Sequence, residues 1–291
     1  MPFKIAIASG KGGTGKTTVS INLYHFLNDR FNQNVQLIDC DVEEPNDNLF
    51  FENSIEKQKE LVLQQIPQID TGKCTYCKKC IEYCEFNAIS VIPSAKYAEI
   101  TPSLCHSCSA CSVACPSNAI FETPQEIGTI HNFRLSEGAG LTEGRLKIGS
   151  TMQTMVIKAT KKSQNTDAAI VLFDAPPGTS CPVVETISDA NYVILVTEPT
   201  PFGLHDMKLM VELLQELNKS FGIIINKAGL GNREVYAYIQ KSKLELLGEI
   251  PFSKKYASNY ATGSLIQYMP KEIELLYHEI VKTLALKINV R

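Results

Sequence analysis

The sequence predicts an α/β fold, a mostly parallel sheet covered by helices on both faces, interrupted by a small cysteine-rich unit of its own. Three observations lead there. Short apolar runs alternate with helical patterns over most of the chain, the order that makes parallel strands joined by crossover helices. A glycine-rich loop sits between the first strand and the first helix. Between about Asp70 and Pro124 the long apolar periods give way to cysteine, proline and small polar residues.

The elements follow in order. Lys4 to Ala8 reads as a buried strand; its apolar run is too short for a signal sequence and passes directly into glycine. A helix is expected from about Lys16 to Phe31, then a strand from Val35 to Asp39, completing a βαβ opening. After the cysteine segment, strands are expected at Ala168 to Phe173, Tyr192 to Thr197 and Phe221 to Asn226, with a helix at Met207 to Leu217 between the last two. Near the C-terminus, Ile273, Leu276, Tyr277, Ile280, Val281, Leu284 and Ile288 form one apolar helix face. Few basic residues accompany it, so packing on the sheet is expected rather than membrane contact. The domains expected are 1–65 with 126–291, and an inserted domain at 66–125.

The chain has 291 residues, 44% hydrophobic and 20% charged, with a formal net charge of -3. That balance gives no electrostatic reason for nucleic-acid or membrane binding. No stretch approaches the ~20 apolar residues that cross a bilayer. A cytoplasmic protein without membrane insertion and without a nucleic-acid partner is expected.

Gly10-Lys11-Gly12-Gly13-Thr14-Gly15-Lys16-Thr17 satisfies the phosphate-binding P-loop pattern, with strand before and helix after. Its glycines let backbone N–H groups face phosphate oxygens, and the helix N-terminus adds partial positive charge. Lys16 is expected on the β- and γ-phosphates and Thr17 on Mg2+, with Thr18 also in the ATP-binding set. The fold class is thereby a P-loop NTPase.

Eight of the ten cysteines form two quartets. Cys74, Cys77, Cys80 and Cys84 recur 31 residues later as Cys105, Cys108, Cys111 and Cys115, and Asn87-Ala88-Ile89 recurs as Asn118-Ala119-Ile120. Such regular short gaps point to metal in a reducing compartment. Each quartet has the Cys-x2-Cys-x2-Cys-x3-Cys spacing of bacterial two-cluster ferredoxins, whose fourth cysteine crosses to the other cluster. One [4Fe-4S] cluster is then expected on Cys74, Cys77, Cys80 and Cys115, and the other on Cys105, Cys108, Cys111 and Cys84, in a small α+β ferredoxin-like domain. Zinc is the alternative, but the tandem spacing differs from paired zinc knuckles. Pro116 follows Cys115 as ferredoxins usually have it, whereas Glu85 follows Cys84, and its carboxylate would tend to lower that cluster's potential.

Lys-Gly-Gly-Thr-Gly-Lys-Thr at 11–17 resembles the deviant Walker motif of the MinD, ParA, Mrp/Nbp35 and nitrogenase iron protein superfamily, and the resemblance extends over the whole chain. It implies an ATPase working as a homodimer with nucleotide at the interface, Lys11 reaching the partner's nucleotide. It implies that Asp41 orients the attacking water, that Asp39 supports Mg2+, and that Asp174 in Leu172-Phe173-Asp174-Ala175-Pro176-Pro177-Gly178 serves the metal while the Gly178 N–H senses the γ-phosphate. It also places Asn226 and Lys227 at the adenine-reading strand end and Pro251 beside the purine. Lys11, Lys16 and Asp41 are the catalytic set. Cys181 lies seven residues after Asp174, the offset of one cluster ligand in the nitrogenase iron protein; Cys40 reads as a small buried residue. Three functions stay open: a nucleotide-gated electron carrier with a redox or iron–sulfur partner, an Mrp/Nbp35-like cluster or metal delivery ATPase, and a MinD/ParA-like spatial organiser. Intact ferredoxin quartets favour the first.

Overall fold

A computed structural model describes residues 1–30, 34–136 and 138–289. In chain order its elements are β1 Phe3–Ala8, α1 Lys16–His25, β2 Val35–Asp39, β3 Ile55–Ile69, α2 Lys79–Glu82, β4 Ile89–Ile92, β5 Tyr97–Ile100, α3 Ala110–Ala114, β6 Ile120–Arg134 and β7 Gly140–Leu146. They continue with α4 Gln153–Lys162, β8 Ile170–Asp174, α5 Cys181–Ile187, β9 Tyr192–Thr197, α6 Pro201–Glu216, β10 Phe221–Ala228, α7 Glu234–Lys241, β11 Leu246–Pro251, α8 Lys254–Ala261 and α9 Lys271–Asn289. Two compact units result: residues 1–59, 130–145 and 157–291, and residues 60–129 with 146–156.

In the larger unit the strands lie in the order β11-β10-β9-β1-β8-β2-β7, and β6 and β3 continue the sheet at its edge. Every pairing from β11 through β7 is parallel. The central strands β1, β2, β8 and β9 are apolar along most of their length because helices cover both faces of a parallel sheet; Ile5, Leu37, Leu172 and Ile194 are all 0% exposed. Helix α9 buries Ile273, Tyr277, Ile280, Val281 and Leu284 in the same core, so its apolar face is taken up within the fold. Among the described residues no helix is long and apolar enough to cross a membrane.

Several boundaries differ from the sequence pattern. The α-form of α1 stops at His25, and Phe26–Arg30 continue as a π-helical turn; the expected end at Phe31 lies outside the described residues. Asn28 pins this turn, its amide bonding the Tyr24 carbonyl at 3.0 Å and accepting the Val35 N–H at 3.0 Å. Helix α6 begins at Pro201 rather than Met207, because Thr200 caps it by accepting the Gly203 N–H at 3.0 Å and proline suits the first turn. Strand β8 is shifted to Ile170–Asp174, and β10 runs on to Ala228. Strands β3, β6 and β7 had no expectation; the N-terminal half of β3 is exposed and charged, a pattern that periodicity does not mark.

The smaller unit has a two-stranded antiparallel sheet, β4 with β5, and the short helices α2 and α3. Its core gathers Ile66, Ala88, Ile89, Val91 and Ile100 with Cys105 and Cys111. Residues 146–156 join it through the Lys147 N–H on the Ile127 carbonyl at 2.9 Å and the Thr151 hydroxyl on the Ser103 carbonyl at 3.1 Å.

Candidate functional site

The C-terminal ends of parallel strands are where ligands bind in such sheets, and there the register concentrates charge. Asp39 of β2 lies opposite Asp174 of β8 on one side and Glu143 of β7 on the other. All three are buried, as is Asp47 at 0% exposure from the turn after β2. Asp39 accepts the Asp41 and Asn46 N–H groups at 2.9 Å each and that of Asp47 at 3.1 Å. Asp174 accepts the hydroxyls of Thr17 at 2.8 Å and Ser20 at 2.9 Å. Among the described residues Oε2 of Glu143 is buried without a hydrogen-bond partner, and the buried Asp47 carboxyl has only the neighbouring Asp174 carboxyl to share a proton with. Burial first, and then neighbouring carboxylates, push the Asp39 and Asp47 carboxyls well above the usual range. Burial raises Asp174 as well, against the pull of Lys16 and the two hydroxyls. It brings Asp41 up to about 6, again with Lys16 opposing.

The glycine loop leads from β1 into α1. Gly13 and Gly15 hold φ of 76° and 97°, and a Cβ at Gly15 would meet the Asn226 amide nitrogen at 2.1 Å, so only glycine fits there. Asn226 secures the loop by donating to the Thr14 carbonyl at 2.7 Å, while its carbonyl oxygen accepts the Lys227 N–H at 2.9 Å. Lys227 reaches the Gly13 carbonyl at 2.8 Å. A cleft of about 360 Å3 opens here, within the size range of small-ligand sites. Gly12, Gly13, Gly15, Lys16, Thr17 and Thr18 line one part of it, and Asp41, Asn226, Lys227 and Pro251 others.

Gly10, Lys11, Thr14, Asp39, Asp174 and Gly178 are outside that lining. The Asn226 amide is engaged by the loop, and the Gly178 N–H donates to the Ser9 carbonyl at 3.0 Å. Lys11 bonds Glu198 at 2.6 Å and lies 5.9 Å from the centre of the Phe202 ring. Cleft residues without a sequence expectation include Glu44, Asn46, Phe252, Ser253, Tyr256 and Tyr260. Ser253, which caps α8 by accepting the Tyr256 N–H, was the available signal for a helix there. Asp47 and Glu198 had none, since single acidic residues after strands are common in turns.

In the smaller unit two small cavities of about 20 Å3 each are ringed by thiols. Cys74, Cys77, Cys80 and Cys115 line one; Cys84, Cys105, Cys108 and Cys111 line the other. The backbone repeats with the sequence. Tyr76, Lys78 and Asn87 have φ of 55°, 65° and 52°, and their counterparts Ser107, Ser109 and Asn118 have 50°, 61° and 48°. Left-handed backbone is costly for such residues and tends to mark functional sites. It turns N–H groups onto sulfur: Tyr76 onto Cys74 and Ser107 onto Cys105 at 3.4 Å, Ala88 onto Cys84 at 3.4 Å and Ala119 onto Cys115 at 3.3 Å. Burial raises the Cys80, Cys105 and Cys111 thiols, whereas at Cys115 the Ser117 and Ala119 hydrogen bonds outweigh burial and hold the thiol below its usual value. Cys40 is fully buried, and Cys181 is exposed at the start of α5.

The chain is similar to two uncharacterized proteins of Methanocaldococcus jannaschii. It is 34% identical to MJ0578 over 79% of this chain and 80% of that one, and 31% identical to MJ0579 over 91% of each. Its fold is similar to the septum site-determining protein MinD of Pyrococcus horikoshii, solved with Mg-ADP, at 17% identity and a TM-score of 0.57 over 97% and 96% of the two chains. The family model for the CobQ/CobB/MinD/ParA nucleotide binding domain matches residues 5–266. With that match spanning the glycine loop, the buried carboxylates and the cleft they border, this chain belongs to the CobQ/CobB/MinD/ParA family of nucleotide-binding domains.

Proposed function

We propose that this chain binds and hydrolyses ATP as a homodimer and couples that nucleotide switch to electron transfer through two [4Fe-4S] clusters. In this reading a P-loop ATPase domain of residues 1–65 and 126–291 carries a ferredoxin-like domain at 66–125. The observation that carries it is the doubled thiol-ringed cavity, repeated down to its left-handed residues and N–H···S bonds, in a chain with a complete phosphate loop. Among the described residues no three His, Cys, Asp or Glu side chains gather closely enough for a single metal ion. The tandem Cys-x2-Cys-x2-Cys-x3-Cys spacing would suit two four-iron clusters better than structural zinc sites.

For the nucleotide, loop N–H groups and Lys16 would bind the phosphates, and Tyr256, Tyr260 and Pro251 would border the base. The buried carboxylates Asp39, Asp47 and Asp174 lend negative charge to this end of the sheet, which would favour a cation held by Thr17, water and phosphate rather than by the three carboxylates themselves. Thr17 would hold Mg2+ through an oxygen lone pair while its O–H goes on donating to Asp174, and Asp39 would support it through water. Mg2+ bound there would neutralise charge on the transferring phosphoryl group. Asp41, half-buried and lining the cleft, would orient the attacking water. Lys11 would add a second cation from the partner subunit. In the smaller unit the cysteines would hold the clusters, whose bound irons supply one-electron chemistry, and the N–H···S bonds would tune their potential.

A second reading, delivery of clusters or metal to an acceptor, has one observation in its favour: Cys77 and Cys108 expose a ligand of each cavity. A spatial organiser has less support, since the α9 apolar face is buried. Anaerobic reconstitution tests the proposal. About eight iron and eight sulfide per chain, with ATP hydrolysis and retention of iron beside an apo-ferredoxin, are the expected results. Loss of iron to the acceptor on adding ATP would favour delivery, and failure to bind iron would remove both readings.

A further inference from the structure

We infer that Glu198 is a positioning residue that holds Lys11 within its own subunit and gives it up when nucleotide closes the dimer. This rests on the reading that Lys11 acts on the partner's nucleotide.

Glu198 follows β9 and is 8% exposed. Its two oxygens divide between two lysines: Oε1 takes the Lys11 ammonium at 2.6 Å and Oε2 takes the Lys227 ammonium at 2.8 Å. The Thr200 hydroxyl also donates to Oε1, at 3.2 Å. The register of β9 with β10 pairs Thr197 with Ile225, which sets Glu198 beside the strand end that carries Lys227. The carboxylate has little room to leave. A Cβ at Gly203 would meet the Glu198 carbonyl at 2.2 Å and its Cγ at 3.0 Å, so the first turn of α6 packs directly on this residue.

The same Lys227 ammonium bonds the Gly13 carbonyl in the phosphate loop at 2.8 Å. One carboxylate therefore ties the loop lysine, the loop backbone and the strand end beside the cleft into a single cluster of charges. Although burial works against it, the two lysines keep the Glu198 carboxyl below its usual range, so it is an anion at neutral pH. Lys11 cannot sit on Glu198 and on a phosphate in another subunit at once. Phosphate anions entering the cleft compete with Glu198 for the Lys227 ammonium, since Gly13 and Lys227 both line that cleft, while Lys11, outside its lining, is left to the partner's phosphates. Holding Lys11 back in the resting state lowers the fraction competent to dimerise, so weakening the hold raises apparent affinity.

The test is sedimentation velocity of the full chain under anaerobic conditions without nucleotide, with ADP and with ATP. Glu198→Gln removes the charge at constant size. It should tighten the ATP-dependent dimer about fivefold, the scale of a partly buried ion pair, and the gain should vanish in Lys11→Ala/Glu198→Gln. That dependence on Lys11 is what a merely structural Glu198 would not produce. A parent that dimerises with ATP while Glu198→Gln dimerises equally or more weakly overturns the hold alone, as does a gain that survives without Lys11. A parent that stays monomeric with ATP overturns the dimer reading and the hold with it. If Glu198→Gln does not fold by circular dichroism, Glu198→Asp, one methylene short of Lys11, should show a smaller gain; no gain overturns the inference.

Discussion

Alanine substitution along the phosphate loop should produce a graded series set by the backbone. Gly12 has open space around a built Cβ and ordinary φ, so Gly12→Ala should change stability by no more than ~0.5 kcal/mol. Gly13 is equally open but sits at φ 76°, so Gly13→Ala should cost about 1–2 kcal/mol from left-handed strain alone. Gly15 combines φ 97° with a Cβ 2.1 Å from the Asn226 nitrogen. Relieving that overlap pushes Asn226 off the Thr14 carbonyl, adding about 1 kcal/mol to the strain. Gly15→Ala should therefore lose about 2–3 kcal/mol in urea unfolding followed by circular dichroism. ATP binding should weaken in the same order. Gly15→Ala as stable as Gly12→Ala would refute the reasoning, because it would mean that the loop relaxes freely.

Lys11→Ala should abolish stimulated ATP hydrolysis and leave iron content unchanged; unimpaired hydrolysis would contradict the role given to Lys11. Cys115→Ser should remove about half the iron and spare the cluster on Cys105, Cys108, Cys111 and Cys84, as read from iron analysis and EPR. Cys181→Ser should leave iron per dimer unchanged, since a drop would point to a bridging cluster. Asp189 is exposed at the surface, and although partial desolvation opposes it, hydrogen bonds from Lys161 and Lys4 hold its carboxyl below the usual range. A depressed carboxyl adds stability above its unfolded pKa of about 3.9, and the contribution is lost as pH falls through the lower folded value. Asp189→Asn should thus be less stable than the parent at pH 7, by no more than ~1 kcal/mol after solvent screening, and the difference should fade in acid unfolding as pH falls through the depressed folded value.

Much of the large sheet was legible because its central strands are short, mostly apolar and punctuated by motifs. Val35–Asp39 and Tyr192–Thr197 stand where periodicity puts them, and the glycine loop joins β1 to α1. Strands β3 and β6 escaped notice because much of their length is exposed and polar, and β7, though buried, because Gly140, Thr142, Glu143, Gly144 and Arg145 break any apolar run. The true start of α6 lay in a Thr-Pro cap rather than in its apolar face. At the site, Lys16 and Thr17 were legible from spacing. Asp47 and Glu198 were not, since their meaning comes from strand register, which brings Asp39 beside Asp174 and Glu198 beside Lys227. The cysteines announced themselves as two quartets by spacing. Their backbone, with six left-handed residues at matched positions, could only be seen once folded.

The coupling of nucleotide to redox chemistry is tested most directly by anaerobic EPR and midpoint potentials of the reduced protein without nucleotide, with ATP and with ADP. The account predicts cluster signals whose potential shifts between nucleotide states by ~30 mV or more, about 0.7 kcal/mol for one electron. Stable clusters whose potentials and spectra are the same in all three states would contradict it.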